Sequence, residues 1–522
     1  MKPELPSAVA VRAPRTLYLI LLGLVLAFGF LGTRGIWDPD EGRYTNVALT
    51  MLDSGNWIDP MRNEDVGHWT KPPMTYWLIA GSVAVLGHTP WAARLPVALS
   101  YLACMLLAWL IARHVAKGAE DMAAVVYATM LLPFAAGQLV TTDFVLAATQ
   151  TLAMYGFVRY RFGTSRAPQS GLLLMWLGLA LGFMTKGPPA LIPLLVIGVL
   201  HGLAPGPRPV RWPWHLAGIV LFLLLALPWY VYVVVRHDGL MAYFLGAELV
   251  DRVASDRFQR NGEWYGWLKI YLPTLLIGTL PWTWGAWRWL RSLPPMLGTF
   301  RNRAARKERA AELFLALWVF VPLLVFCVAR SRLPLYLLPI FVPLAVAIAA
   351  TRMANGLGWP RWRWLLFWVV LLLGLRLAAA HFPTHKDASV WADAIRERVP
   401  GPVSEVIFVE DMARYGLHLH LGVEVEKVSR ELPPQARFNP SYDEALWDEV
   451  KETGLEEGLI FIAKQVIWDD VERAISRHGY QAHALGTPFE GRIIFEVVPP
   501  SGTSGAGATV EAKDAPIGDL QQ

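Results

Sequence analysis

The sequence predicts a polytopic α-helical membrane protein with about eleven to thirteen transmembrane helices, ending in a small α/β domain. Three observations carry that expectation. Of the 522 residues, 54% are hydrophobic and 17% charged, with a mean hydropathy of +0.37; soluble domains carry roughly a quarter charged residues. Apolar runs near the roughly 20 residues that a helix needs to cross a bilayer recur from residue 16 to residue 380. Beyond residue 380 the chain turns mixed and charged.

The first apolar run, 16–33, follows Lys2, Arg12 and Arg15. A signal peptide has such a lead, but no small-residue cleavage site precedes the acidic loop, so the run is expected to stay as the first span. Further spans are expected at 95–113, 121–137, 142–160, 171–186, 188–203, 213–235, 267–289, 312–329, 333–351 and 362–380. Basic residues gather in alternate short loops: Arg113 and Lys117; Arg159, Arg161 and Arg166; Arg208 and Arg211; the 288–311 loop; then Arg352, Arg361 and Arg363. Cytoplasmic loops carry such an excess. The N-terminus is therefore expected in the cytoplasm, with the 34–94 loop and the C-terminal domain on the outside face of the membrane. The 24 Trp and 38 Pro suit many interfacial helix ends. Cys104 and Cys327 both lie in apolar runs, which argues against a disulfide framework or a Cys-based metal site. The net charge of +5 is spread over the loops, which argues against nucleic acid as a partner.

Organisation follows from the same reading: a membrane domain over 1–380, a soluble α/β domain over 381–500, and a disordered Gly-, Ser- and Ala-rich tail over 501–522. Within the first outside loop, Tyr44, Val47, Ala48 and Met51 share one helical face, which suits a helix over 41–52 lying along the membrane surface with its polar face in water. A second such helix is expected over 74–86, after the Pro72-Pro73 break. In the C-terminal domain, β-rich runs at 403–409, 459–463 and 492–498 alternate with helical patterns at 388–399 and 466–478.

The chemistry concentrates at the outer helix ends. Asp40, Glu41, Arg43 and Lys71 lie in the first loop, Asp143 opens the fourth span, and Lys186 closes the fifth. Arg252 lies in a long outside loop, and Arg330 and Arg332 precede the tenth span. Each has an ordinary explanation alone: Asp143 suits a helix N-terminus and Lys186 can snorkel. Together they set carboxylates and cations where a lipid headgroup sits. Carboxylates deprotonate an acceptor hydroxyl or hold a metal, and Lys and Arg neutralise a leaving phosphate. That is what a transferase using a lipid-phosphate donor requires. No Walker, dinucleotide or HExxH motif stands out, so no soluble nucleotide cofactor is implied.

WDPDEGRY at 37–44 and HWTKPPMTYWL at 68–78 closely resemble the first periplasmic loop of bacterial GT-C glycosyltransferases. These enzymes use polyprenyl-phosphate sugars and are related to lipid A aminoarabinose transferase and the protein O-mannosyltransferases. WAARLP at 91–96, TTDFVLA at 141–147, FMTKGPPAL at 183–191, LPWYV at 227–231 and SRLPLYLLP at 331–339 fit the same pattern, over about residues 16–350. The resemblance implies a GT-C fold, with Asp40 catalytic, Glu41 beside it and Asp143 as a second acidic residue. It also implies that Lys71, Lys186, Arg252 and the Arg330–Tyr336 segment, with Arg43 nearby, bind donor phosphate or headgroup. The implied partners are an undecaprenyl-phosphate-linked sugar and a lipid A or other envelope-glycan acceptor, with inversion at the anomeric carbon. Two departures stand out: Thr70 replaces an acidic residue before the Lys of KPP, and the family's Glu-His pair reads Glu248-Leu249. Both missing groups belong to the metal site proposed for the aminoarabinose branch, so the resemblance does not carry a metal over to this chain.

Two rival functions are expected to differ by site. A protein O-mannosyltransferase-like enzyme would use a protein hydroxyl as acceptor. A transporter or flippase of lipid-linked sugar would place polar groups at the bilayer midplane on broken helices, often in repeated halves; the charges here cluster at outer helix ends, and no repeat is visible.

Overall fold

Proline and the need to satisfy every backbone group in lipid decide where the apolar runs stop being helix. The computed structural model describes residues 12–164, 167–206, 211–250, 261–299, 302–453 and 456–500. The expected tail, 501–522, lies outside them. The helices of the first part are α1 (Arg12–Phe28), α2 (Asp40–Asp53), α3 (Met74–Leu86), α4 (Pro90–Val115), α5 (Glu120–Thr129), α6 (Leu131–Ala136), α7 (Thr142–Phe162) and α8 (Gln169–Lys186). A 3-10 turn at Pro188–Leu191 leads into α9 (Ile192–Leu203), followed by α10 (Trp212–Arg236) and α11 (Leu240–Tyr243), which continues as a π-helical stretch, Phe244–Val250. Then come α12 (Gly266–Gly278), α13 (Thr283–Thr299), α14 (Arg303–Glu308) and α15 (Ala310–Val328). A second 3-10 segment, Pro334–Ile340, enters α16 (Phe341–Ala354), and α17 is Trp362–Ala380. Among the described residues, five segments are long and apolar enough to cross a membrane: Pro90–Val115, Trp212–Arg236, Ala310–Val328, Pro334–Ala354 and Trp362–Ala380. This is a multi-pass membrane protein.

Two expected spans are broken. The 121–137 run divides into α5 and α6 at Met130, and the 267–289 run divides into α12 and α13 around Pro281. A proline inside a run lacks the N–H that the helix needs and clashes with the preceding turn. The two breaks meet. Leu131 N donates to Leu280 O at 2.9 Å, Trp282 Nε1 to Thr129 Oγ1 at 2.8 Å, and Trp368 Nε1 to Thr129 O at 2.8 Å. Irregular backbone at membrane depth survives only where protein groups satisfy it, and here each break supplies partners to the other. Arg376 does the same for the end of α1. Its buried guanidinium donates to Leu26 O and Gly29 O, both at 2.9 Å, and to Phe134 O at 3.1 Å. Between α7 and α8 the backbones nearly touch: a Cβ on Gly156 would strike Met175 N, and one on Gly178 would strike Ala153 N. Small residues permit this approach, which replaces the hydrophobic drive that lipid cannot supply.

The surface-helix expectation for 41–52 is corrected. α2 buries Glu41, Gly42, Thr45 and Asn46 as well as Val47, Ala48, Leu49 and Met51, so these polar residues are packed rather than solvated, while Asp40 and Asp53 at its ends stay exposed. Polar groups in and just before α2 find partners far along the chain. His418 Nδ1 pairs with Asn46 Oδ1 at 2.8 Å and His418 Nε2 with Asp53 Oδ2 at 2.9 Å, while Gly416 N donates to Asp38 Oδ2 at 3.2 Å.

Residues 414–422 and 435–440 belong to the same compact unit as residues 1–392; the remainder of 393–522 forms a second unit. From α18 (Ala388–Arg398) onward the elements are β1 (Glu405–Val409), α19 (Leu417–Leu421), β2 (Glu424–Val428), α20 (Leu446–Glu452), β3 (Leu459–Lys464), α21 (Trp468–Ser476), β4 (Gln481–Ala484) and β5 (Arg492–Val498). The strands make one sheet in the order β2-β1-β3-β5-β4, with β1 parallel to β2 and β3, and β5 antiparallel to β3 and β4. The expected strands are β1, β3 and β5. β2 and β4 are short and charged or polar, and they show no apolar run.

Candidate active site

Asp40 and Glu41 are adjacent acids with opposite fates. Successive helix residues point about 100° apart, so at the start of α2 one faces out and the next faces in. The Asp40 side chain is 66% exposed and pairs with Arg43 Nη2 at 2.9 Å. Glu41 is 3% exposed. Its carboxylate accepts from Arg34 Nη1 at 2.6 Å, Arg94 Nη2 at 3.1 Å, Trp37 N at 3.0 Å and Val140 N at 3.1 Å. Burial alone would raise its pKa; Arg34 and Arg94 outweigh that and hold it down to about 2. Arg94 also donates to the carbonyls of Arg34 and Gly35, both at 2.7 Å. Glu41 thus ties the loop, α4 and the α7 entrance together.

A second acid–base pair stands at two helix ends. Asp143 lies in the first turn of α7, where a carboxylate suits the helix dipole, and Lys186 is the last residue of α8. Lys186 Nζ lies 2.5 Å from Asp143 Oδ1 and 4.6 Å from the centre of the Tyr336 ring. Gly187 follows at φ +70°, a conformation side chains rarely adopt. Tyr44 joins the two pairs. It sits in the combined field of Arg43, Lys186, Asp40 and Asp143, and burial raises its phenol.

A third pair stands beyond the Tyr44–Tyr76 stack, whose ring centres are 5.9 Å apart. Lys71 Nζ lies 3.1 Å from Glu248 Oε2 and 2.5 Å from its neighbour's carbonyl, Thr70 O, and Tyr243 donates to Glu248 Oε1 at 3.3 Å. His68 Nε2 pairs with Thr70 Oγ1 at 2.8 Å. Burial, with Arg43, Arg62 and Lys71 around it, pushes the His68 pKa well below the usual imidazole range. A metal does not fit here: Glu248 is neutralised by Lys71, and Thr70 supplies a hydroxyl bonded to His68 where a carboxylate would be needed.

The remaining expected residues fall apart from one another. Arg332 is buried, and its guanidinium donates to Asn261 O and Glu263 O, both at 2.7 Å, and to Cys327 O at 3.0 Å. In the structure it clamps backbone carbonyls. Arg330 is exposed, and Arg252 lies outside the described residues. The sequence reading missed Arg34, Arg94, Tyr44 and His68 as site-building groups. Arg94 stood in the WAARLP motif and Tyr44 on the helical face, but no local pattern discloses a partner 53 residues away.

The model of the dolichyl-phosphate-mannose-protein mannosyltransferase family matches residues 70–232. The undecaprenyl phosphate-alpha-4-amino-4-deoxy-L-arabinose arabinosyl transferase of Pectobacterium carotovorum is 34% identical over 346 residues. That match takes in 65% of this chain and 59% of the relative, so the chain spans less than two thirds of the curated relative's length. The fold matches ArnT from Cupriavidus metallidurans in the apo state at a TM-score of 0.71 and 18% identity, over 93% of this chain and 98% of that one. The same protein bound to undecaprenyl phosphate matches at 0.70 and 19% identity, over 92% of this chain and 97% of that one. Over residues 70–232 the chain thus matches the model of that mannosyltransferase family, and its fold is the GT-C fold seen in ArnT.

Proposed function

We propose that this chain is a glycosyltransferase that moves a sugar from an undecaprenyl-phosphate-linked donor to lipid A or another envelope glycan at the periplasmic face of the bacterial inner membrane. The observation that carries the reading is an exposed carboxylate, Asp40, beside Arg43 and sharing the field around Tyr44 with the Asp143–Lys186 pair. Asp40 takes the proton of the acceptor hydroxyl as that oxygen attacks the anomeric carbon. The bond from that carbon to the phosphate oxygen breaks on the opposite face, which inverts the configuration. Lys186, Arg43 and Lys71 each hold a carboxylate at 2.5–3.1 Å, and a donor phosphate exchanges with those carboxylates as the partner of the cations. Charge-assisted pairs of this kind stabilise a departing phosphate. Glu41 acts through Asp40 by fixing the turn that carries it, and Asp143 positions Lys186. Residues 381–500 form the soluble periplasmic part, and the N-terminus is cytoplasmic.

The named relative supplies the donor class. The family model, by its description, favours a second reading, in which the acceptor is a protein hydroxyl. The test is transfer from a panel of radiolabelled undecaprenyl-phosphate sugars to lipid extract and, separately, to envelope protein. Label in lipid A or glycan supports the first reading and label in protein the second. Facilitated movement of the donor across vesicles without transfer would overturn both in favour of a transporter.

A further inference from the structure

The C-terminal sheet region contains a group of acids, Glu449 buried and Glu405 and Glu426 half-buried, that the transfer reaction does not use. β1 and β2 run parallel, with Glu405 opposite Glu424 and Ile407 opposite Glu426. Alternate strand residues share a face, so Glu405 and Glu426 lie on the same side as the apolar Ile407, Val409 and Val428. Helix α20 covers that side: Leu446 and Val450 join those three in one apolar cluster. Glu449 lies between them in the sequence and is 2% exposed.

One carboxylate oxygen from each of Glu405, Glu426 and Glu449 lies within 4.8 Å of the other two. The charged groups acting most strongly on the three are also acids: Glu424, Asp443, Glu444 and Glu452. Two oxygens in this group, Glu405 Oε1 and Glu449 Oε2, are buried and have no hydrogen-bond partner. Buried polar atoms in folded proteins are nearly always paired, and buried charges are paired or coordinate a metal. Three elements thus bring carboxylate oxygens together, with Glu426 and Glu449 hydrogen-bonded to each other, among neighbours that are themselves acids.

We propose that Glu405, Glu426 and Glu449 hold a calcium ion that ties β1, β2 and α20 together. All-oxygen, carboxylate-rich sets select hard cations over zinc or copper. Calcium binds oxygens at about 2.3–2.6 Å in flexible geometry, so opposite ligands sit up to roughly 5 Å apart, whereas magnesium demands a tighter octahedron at about 2.0–2.1 Å. The three ligand oxygens all lie within 4.8 Å of one another, inside the span a calcium ion can bridge. The proposal does not depend on the transferase reading.

The test uses the full chain in detergent, stripped of metal, with radioactive calcium in equilibrium binding at neutral pH. Wild type is compared with Glu449→Gln, which keeps the side chain's size and removes one charge. Wild type is expected to bind one calcium per chain more than the variant, or to bind that ion at least tenfold more tightly. Calcium should raise the unfolding temperature of wild type and not of the variant, and magnesium should compete weakly. Equal stoichiometry and affinity in the two proteins would overturn the proposal. So would no calcium retained by wild type up to millimolar concentration, which would mean that protons alone neutralise the cluster. If Glu449→Gln fails to fold, Glu426→Gln gives the same two readings.

Discussion

Replacing Glu41 by Gln tests how the active-site turn is held. Glu41 is buried between Arg34 and Arg94, and it also accepts from the backbone N–H groups of Trp37 and Val140. Glutamine keeps the shape but leaves two buried guanidiniums facing a neutral amide. Breaking a buried pair by removing one partner costs about 3–5 kcal/mol. An independent route agrees: a carboxyl held at about 2 instead of its ordinary 4.5 corresponds to about 3 kcal/mol, at roughly 1.4 kcal/mol per decade. Folding depresses this pKa, so the contribution is fully present above about pH 4.5 and is lost as pH falls toward 2. Hydrogen exchange at the Trp37 and Val140 amides reads the local opening directly. About 3 kcal/mol predicts roughly a hundredfold faster exchange at both amides in the variant at neutral pH. Transfer activity should fall with it, since Asp40 rides on the same turn. Unchanged protection in the variant would refute the anchor.

Other perturbations separate chemistry from scaffolding. Gly42→Ala places a methyl against the Asp38 carboxylate and Gly416 N; overpacking of this kind costs about 1–3 kcal/mol, so the unfolding temperature should fall. Lys186→Met removes the cation between Asp143 and Tyr336 and should lower kcat about 10²–10³-fold, the loss seen on removing one transition-state donor, with thermal stability measured alongside. Arg332→Lys gives up a planar clamp on three carbonyls; stability should fall while KM for the donor lipid holds, whereas a selective rise in KM would return Arg332 to the phosphate site. His68 is kept neutral, with its folded pKa below the ordinary 6.5. The unfolded chain therefore binds more protons below about pH 6.5, and stability should decline as pH falls through that range; a thermal scan against pH should show less of this decline in His68→Gln.

Much of this was legible because membrane sequence is written in long runs. Apolar segments, basic alternate loops and the WDPDEGRY and KPP stretches located the helical part and the acid-rich loop. The helix breaks at Met130 and Pro281 were hidden because hydropathy averages over them, and their compensation through Leu131 N and Leu280 O joins residues 149 positions apart. Asp40 and Glu41 look alike as letters. Only the packing of Arg34 and Arg94 separates the exposed acid from the buried one. Arg330 and Arg332 show the converse, since two neighbouring cations in one short motif have different surroundings. Strand β2 escaped notice because three of its five residues, Glu424, Glu426 and Lys427, are charged.

The most direct test of the account is transfer by Asp40→Asn with a purified undecaprenyl-phosphate sugar donor, its folding and donor binding checked in parallel. General-base catalysis contributes about 10²–10⁴-fold. The account predicts a loss of that size in kcat without weaker donor binding, because Asp40 meets the acceptor hydroxyl and only competes with the phosphate for Arg43. Wild-type kcat in the variant would contradict it and move the catalytic carboxylate elsewhere, with Asp143 the next residue to replace.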